Sequence, residues 1–215
     1  MVTSDDIHEG IRIGIYNGMG KLGEDLKKHV KGDITFLCIG TDRSTGDCYA
    51  PMIGTILEGK GYSNVIGTLD NPIHALNLDK RTKEIPEETT VLAIDAALGS
   101  AKNVGKMTLN KGKLHAGKAL DKSLTPIGDY YIVGIVNKSG YMESVILQNT
   151  RLATIMKMAK EAVSAIEHAY PLNTYNSKTV KSLEVIWTNN YFAKSLYNRS
   201  LKISLDKLIN SLNGI

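Results

Sequence analysis

Residues 34–47 read ITFLCIGTDRSTGD: an almost uninterrupted apolar run from Ile34 to Gly40, then a loop crowded with Gly, Ser, Thr and charge. An apolar run of that length is the mark of a strand covered on both faces, as in a parallel sheet. The next residues, CYAPMIGTILEGKG, carry Met52, Ile53, Ile56 and Leu57 at the offsets of one helical face. Asp47 as a capping residue and Pro51 in the first turn supply its start signals. The unit is therefore strand, polar loop, helix.

That unit recurs along the chain. Val65 to Leu69 reads as a strand and Pro72 to about Arg81 as a short helix. Thr90 to Ile94 (TVLAI) is a second strongly apolar strand ending at Asp95, and Tyr130 to Val136 (YYIVGIV) is a third. Ser144 to Ala169 then carries Leu152, Ile155, Met156, Ala159, Ala162, Val163 and Ile166, a helical stripe of about four turns. Strands alternating with helices predict a three-layer α/β/α sandwich on a mostly parallel central sheet. We place this α/β domain at 34–170. A polar lead-in occupies 1–33. Residues 171–215 change character after Pro171 but keep an amphipathic stripe at Leu201, Leu205, Leu208, Ile209 and Leu212, which predicts a C-terminal helical extension.

The chain of 215 residues is long enough for a real core, with 42% apolar residues. Twenty-two per cent charged residues and only 2 Cys exclude a disordered chain and a disulfide-stapled secreted module. The excess of 26 basic over 22 acidic residues is slight and spread along the chain, so it does not point to nucleic acid. No stretch approaches the roughly 20 apolar residues needed to span a bilayer. The start, MVTSDDIHEG, is unlike a secretory signal, and a reduced cytoplasmic protein is the expectation.

In an open parallel sheet, ligands and catalysts sit beyond the carboxyl ends of the strands. Two strands end in aspartate here: Asp47 closes the GTDRSTGD loop, and Asp95 follows TVLAI. A carboxylate at a buried strand end must find partners or take up a proton. If the strands are neighbours, Asp47 and Asp95 face one pocket, and two close carboxyls hold their pKa values apart as acid–base catalysis requires. The plainer readings stand beside this one. Asp47 alone serves as a helix cap, Asp42 as an Asx-turn, and Arg43 as a solvated charge or a clamp for a carboxylate.

Two phosphate-loop patterns and five histidines complete the search. Gly18-Met-Gly20-Lys-Leu-Gly23 matches the dinucleotide fingerprint, but only about ten residues separate it from the next strand, and Arg12 and Gly14 interrupt the one before. Gly112 to Ala119 has Walker A spacing with Ala where Ser or Thr should hold magnesium, and it follows the lysine-rich KMTLNKGKL. His8, His29 and His168 read as surface residues and His74 as structural. His115 falls between two strands in chain order, so a divalent-metal set of Asp47, Asp95 and His115 is the weaker alternative.

At CIGTDRSTGD, TVLAIDAALGS, PIGDYYIVGIVNKSGYMES and VILQNTRLATIMKMA, the chain resembles the YyaC-type spore protease family of spore-forming Firmicutes. The resemblance implies kinship with the germination protease that degrades small acid-soluble spore proteins and, more remotely, with the hydrogenase maturation endopeptidases. It places the two catalytic aspartates of the former on Asp47 and Asp95, and the nickel-recognising carboxylates of the latter on the same residues with His115 as third member. It also implies a lead-in outside the sheet. In a peptidase using these two aspartates, Asp42, Arg43, Ser44 and Thr45 are the residues expected to shape the loop or hold substrate. The resulting expectation is a sporulation-associated peptidase in the interior of the sporulating cell or spore, acting on protein or peptide, forming a homo-oligomer, and needing neither membrane, nucleic acid nor an obligatory cofactor. A non-catalytic regulatory protein on the same fold and a dinucleotide-binding protein are the alternatives.

Overall fold

The computed structural model describes residues 10–115 and 125–172. His8, the end of the Walker-like stretch and the tail stripe at 201–212 lie outside them. Among the described residues, thirty-seven buried apolar side chains divide between two clusters, one on each face of a central sheet.

The sheet has six strands: β1 (Ile11–Tyr16), β2 (Ile34–Cys38), β3 (Val65–Ile66), β4 (Thr90–Gly99), β5 (Met107–Lys111) and β6 (Tyr130–Lys138). Their spatial order is β1-β5-β6-β4-β2-β3. The strands β6, β4, β2 and β3 run parallel, β5 pairs antiparallel with β6, and β1 pairs antiparallel with β5 and so points the same way as the parallel four. This is the expected α/β architecture with a mostly parallel sheet. On one face, Phe36, Cys38, Leu92, Ile94, Ile132 and Val136 meet the helices α1 (Gly20–His29), α2 (Tyr49–Gly59) and α5 (Leu152–Ala169). On the other, Leu37, Ile39, Ala93, Tyr131 and Val133 pack with Ile73, Leu78 and Leu114 around the short α3 (Leu78–Arg81).

Several boundaries differ from those the sequence predicts. The lead-in is not outside the sheet: β1 is its edge strand, hydrogen-bonded to β5 with a bulge between Arg12 and Gly14. KMTLNKGKL contains a buried strand after all, since Met107 to Asn110 are covered and its lysines flank rather than interrupt them. Asp95 does not end its strand, because β4 runs on through Ala96, Ala97 and Leu98 to Gly99. The helix expected over 72–81 shrinks to α3, with Asn77 satisfying the His74 amide and the Pro72 carbonyl in the preceding turn.

The long C-terminal stripe of the domain splits into α4 (Glu143–Gln148) and α5. The break has a polar cause. Thr150 donates to the Ile146 carbonyl and accepts from Asn137 on β6, while Arg151 takes an extended conformation that starts the next helix.

The dinucleotide fingerprint does lie between a strand and a helix, with Gly18 at φ +92° and Gly20 opening α1. Ten helical residues thus fit where the spacing looked too short. The reading fails for another reason: β1 pairs with β5 at the edge of the sheet and lies four places from β2, so the strands on either side of α1 are not neighbours as the dinucleotide-binding βαβ unit requires.

Candidate active site

The site is built by the close approach of β2, β4 and α2. Cys38 stands opposite Ile94 in the parallel register, and the Ile39 amide bonds to the Ile94 carbonyl at 2.8 Å, which carries Ile39 to the level of Asp95. The chain then turns at Gly40, whose amide bonds to Ile73, and the 41–47 loop closes on itself through Thr41 N–H to the Asp47 carbonyl at 3.2 Å. Only glycine fits the turn. A Cβ at Gly40 would lie 2.0 Å from the Asp47 carbonyl oxygen and 2.9 Å from the Pro51 ring. A Cβ there would push Asp47 away from the strand end.

Closure of the loop leaves Asp47 just before α2 rather than as its cap. The capping position is Cys48, which makes no side-chain cap bond; its thiol donates instead to the Thr45 carbonyl at 3.0 Å. The carboxyl of Asp47 is freed for other work. Its charge reaches Asp95, so the structure brings the two sequence-predicted aspartates together.

The electrostatics of the pair follow from burial. Asp95 is wrapped by protein yet keeps partial solvent access, and desolvation with the nearby Asp47 charge pushes its pKa up to about 7. The Ala96 amide, 2.8 Å from Asp95 Oδ1, offsets part of that rise. Burial also raises Asp47, and the Ser44 hydroxyl opposes that rise. Ser44 is sealed within the loop, and its Oγ has no partner in full hydrogen-bond alignment among the described residues. Neither acid has an Arg or Lys ion pair among the described residues. Burial therefore disfavours the charged form of both acids.

The remaining loop residues fall elsewhere. Asp42 and Arg43 are exposed, with the Arg43 amide bonded to Thr41 Oγ1 and the same hydroxyl 3.4 Å from Asp42. This is a local turn on the surface, not part of the pair. Thr45 is half-buried and holds Cys48 through its carbonyl.

His115 is not at the site. From Met107, opposite Gly134, β5 runs antiparallel back to Lys111, opposite Tyr130, and the bridge of Leu114 to Ile127 continues in that direction. His115 therefore lies beyond the amino ends of β4 and β6, on the order of 20 Å from the level of Asp95 at the usual rise per strand residue. Among the described residues no three His, Cys, Asp or Glu side chains are grouped to hold a metal ion. The Asp47–Asp95–His115 metal set is withdrawn.

One site element is absent from the sequence reading. The Leu147 carbonyl at the end of α4 accepts the Gly46 amide at 2.8 Å, and Leu147 packs so closely on Gly46 that a Cβ there would meet its Cδ2 at 2.8 Å. The GTDRSTGD loop and the LQNTRL segment, a hundred residues apart in the chain, are thus one structure.

Residues 14–165 match the model of a protein family described as Protein of unknown function (DUF1256). The chain belongs to this family. The match takes in both aspartates, the GTDRSTGD loop and α4. Among curated proteins, the chain is 42% identical over 143 residues to the Uncharacterized protein YyaC of Bacillus subtilis (strain 168), covering 64% of this chain and 70% of that one. No solved structure matches. No helix among the described residues is long and apolar enough to cross a membrane.

Proposed function

We propose that this DUF1256 member is a peptidase in which Asp47 and Asp95 activate water against a peptide carbonyl. The observation that carries the reading is Asp95, a buried aspartate within β4 pushed up to about 7, with the charge of Asp47, from the loop beyond the end of β2, among the causes. Ionised Asp47 takes a proton from water as its oxygen bonds to the carbonyl carbon. Asp95, carrying a proton, gives it to the amide nitrogen as the C–N bond breaks. Two acids held at different protonation states by burial and mutual repulsion suit that exchange.

The resemblance to spore proteases directs the search for substrate toward small acid-soluble spore proteins in the sporulating cell or spore interior. The decisive assay follows fragment formation from an acid-soluble spore protein extract, and from an unfolded general substrate, with wild type, Asp47→Asn and Asp95→Asn. Cleavage by wild type, lost about a hundredfold or more in either variant, is expected for a general acid or base. Equal cleavage by all three proteins, or none by wild type, ends the two-aspartate mechanism and leaves the non-catalytic reading on this fold.

A further inference from the structure

The LQNTRL segment does more than support the 41–47 loop, because its Arg151 borders a cavity that the aspartate pair does not use. The cavity has a volume of about 410 Å3, within the size range of small-molecule sites. It lies where the start of α5 meets the residue after β1 and the turn before β5, and its walls include no residue of β4 or of the 41–47 loop. Four of its side chains are polar: Asn17, Arg151, Thr154 and Lys157. The side chains of Asn17, Arg151 and Thr154 make no hydrogen bond or ion pair among the described residues. Lys157, itself largely exposed, meets Glu161 at 3.9 Å one turn along α5, a contact worth little in water. No acidic residue lines the cavity, and the first turn of α5 contains none. Two cations therefore border one cleft whose walls hold no anion.

We infer that this cavity binds a small phosphate monoester, the phosphate held by Arg151 and Lys157 and the ester body lying on Val104, Ala153 and Met158. A guanidinium is a planar fork that takes two oxygens of one phosphate, and an ammonium adds a point charge. A phosphate monoester carries about 1.5 to 2 negative charges at neutral pH, which matches the two cations, whereas a carboxylate carries one. The Thr154 hydroxyl and the Asn17 amide are neutral donors for the remaining oxygens. A bare phosphate fills only part of such a volume, and Val104, Ala153 and Met158 give the rest an apolar wall. The Gly18 to Gly23 motif is not the binder, since only Asn17, just before it, belongs to the walls. The site is independent of the peptidase reading and stands or falls without it.

The test titrates phenyl phosphate into nitrogen-labelled full-length protein at neutral pH and constant ionic strength, reading the amide resonances of Gly105, Ala153 and Thr154. Shifts that saturate are expected. The affinity falls about tenfold in Arg151→Gln and likewise in Lys157→Gln, the usual weight of one charge-assisted hydrogen bond. Lys160→Gln, on α5 but outside the cavity, keeps the wild-type affinity. Benzoate, with the same ring and less charge, binds about tenfold more weakly, and inorganic phosphate, without the ring, is also weaker than the ester. Shifts that grow linearly with concentration overturn the site, as does an affinity unmoved in either cavity variant or equally lowered in Lys160→Gln. Benzoate bound as tightly as phenyl phosphate overturns the choice of phosphate, and inorganic phosphate bound as tightly overturns the ester. If Arg151→Gln does not fold, Lys157→Gln, at an exposed position, decides alone.

Discussion

At the scale of single residues, Asp95 sets the terms. An unfolded aspartate ionises near 3.9, whereas Asp95 in the folded chain does so near 7. The native state therefore holds more protons than the unfolded one between those values, and stability falls as pH rises from about 4 to about 7, then levels off. Asp95→Asn removes the charge while keeping the shape. It is expected to raise the thermal midpoint at pH 8, by up to a few kcal/mol of stability, and to give almost no gain at pH 4. Melting curves of both proteins across that range check it, and a gain that does not depend on pH would mean that Asp95 is not held protonated by the fold. The same burial predicts that cleavage, where it is found, declines above about pH 7 as the acid is lost.

At the scale of elements, the site depends on how closely α2 lies on the sheet. Gly54 in that helix touches the backbone of Gly67, and a Cβ on Gly54 would fall 2.1 Å from the Gly67 carbonyl oxygen. Gly67 in turn has φ +98° and presses on the Cys38 carbonyl, where an added Cβ would lie 2.0 Å from the oxygen. Gly54→Ala must lift α2 from β2 and β3, and with it the loop that carries Asp47. The expected cost is about 3 kcal/mol, read from the urea midpoint. An unchanged midpoint would show that the helix has room to spare.

The elements also show what could be read in advance. The strands β2, β4 and β6 were legible because buried parallel strands are written as unbroken apolar runs. The strand β5 was not, because its covered positions alternate Met107 and Leu109 with Thr108 and Asn110, and the two polar side chains are buried where Asn110 donates to Thr108. Asp95 was found as a functional candidate but misplaced as a strand end, since Ala96 and Ala97 carry little signal for continuing one. Ser44 looked like one more polar residue in a polar loop. Its burial, like the contact of Gly46 with Leu147, joins it to parts of the fold that no local pattern encodes.

At the scale of the whole molecule, the direction of strands decides who belongs to the site. Chain order put His115 between two strands and left both ends of the sheet open to it. The antiparallel course of β5 sends it to the far end. His115→Ala is accordingly expected to leave the Asp95 titration and any cleavage at wild-type values, checked by carbon NMR of the aspartate carboxyls across pH and by the fragment assay. A shifted Asp95 would require a path between the two ends of the sheet. The two edges differ as well: β3 has two residues, whereas β1 has six, with Ile11 and Ile15 exposed and a bulge that spoils regular pairing with another strand.

The bond between Gly46 and Leu147 has a consequence for the order in which the protein becomes competent. Both aspartates and the loop have been synthesised by residue 95, but the carbonyl that fixes the loop belongs to a helix more than fifty residues later, reached only after β6 has been made to pair with β4. At about 5–20 residues per second, the nascent chain spends several seconds carrying both acids without the support that aligns them. An enzyme that cut polypeptide at that stage would endanger chains still being made beside it. The last backbone bond of the 41–47 loop is therefore made only when the domain is nearly complete.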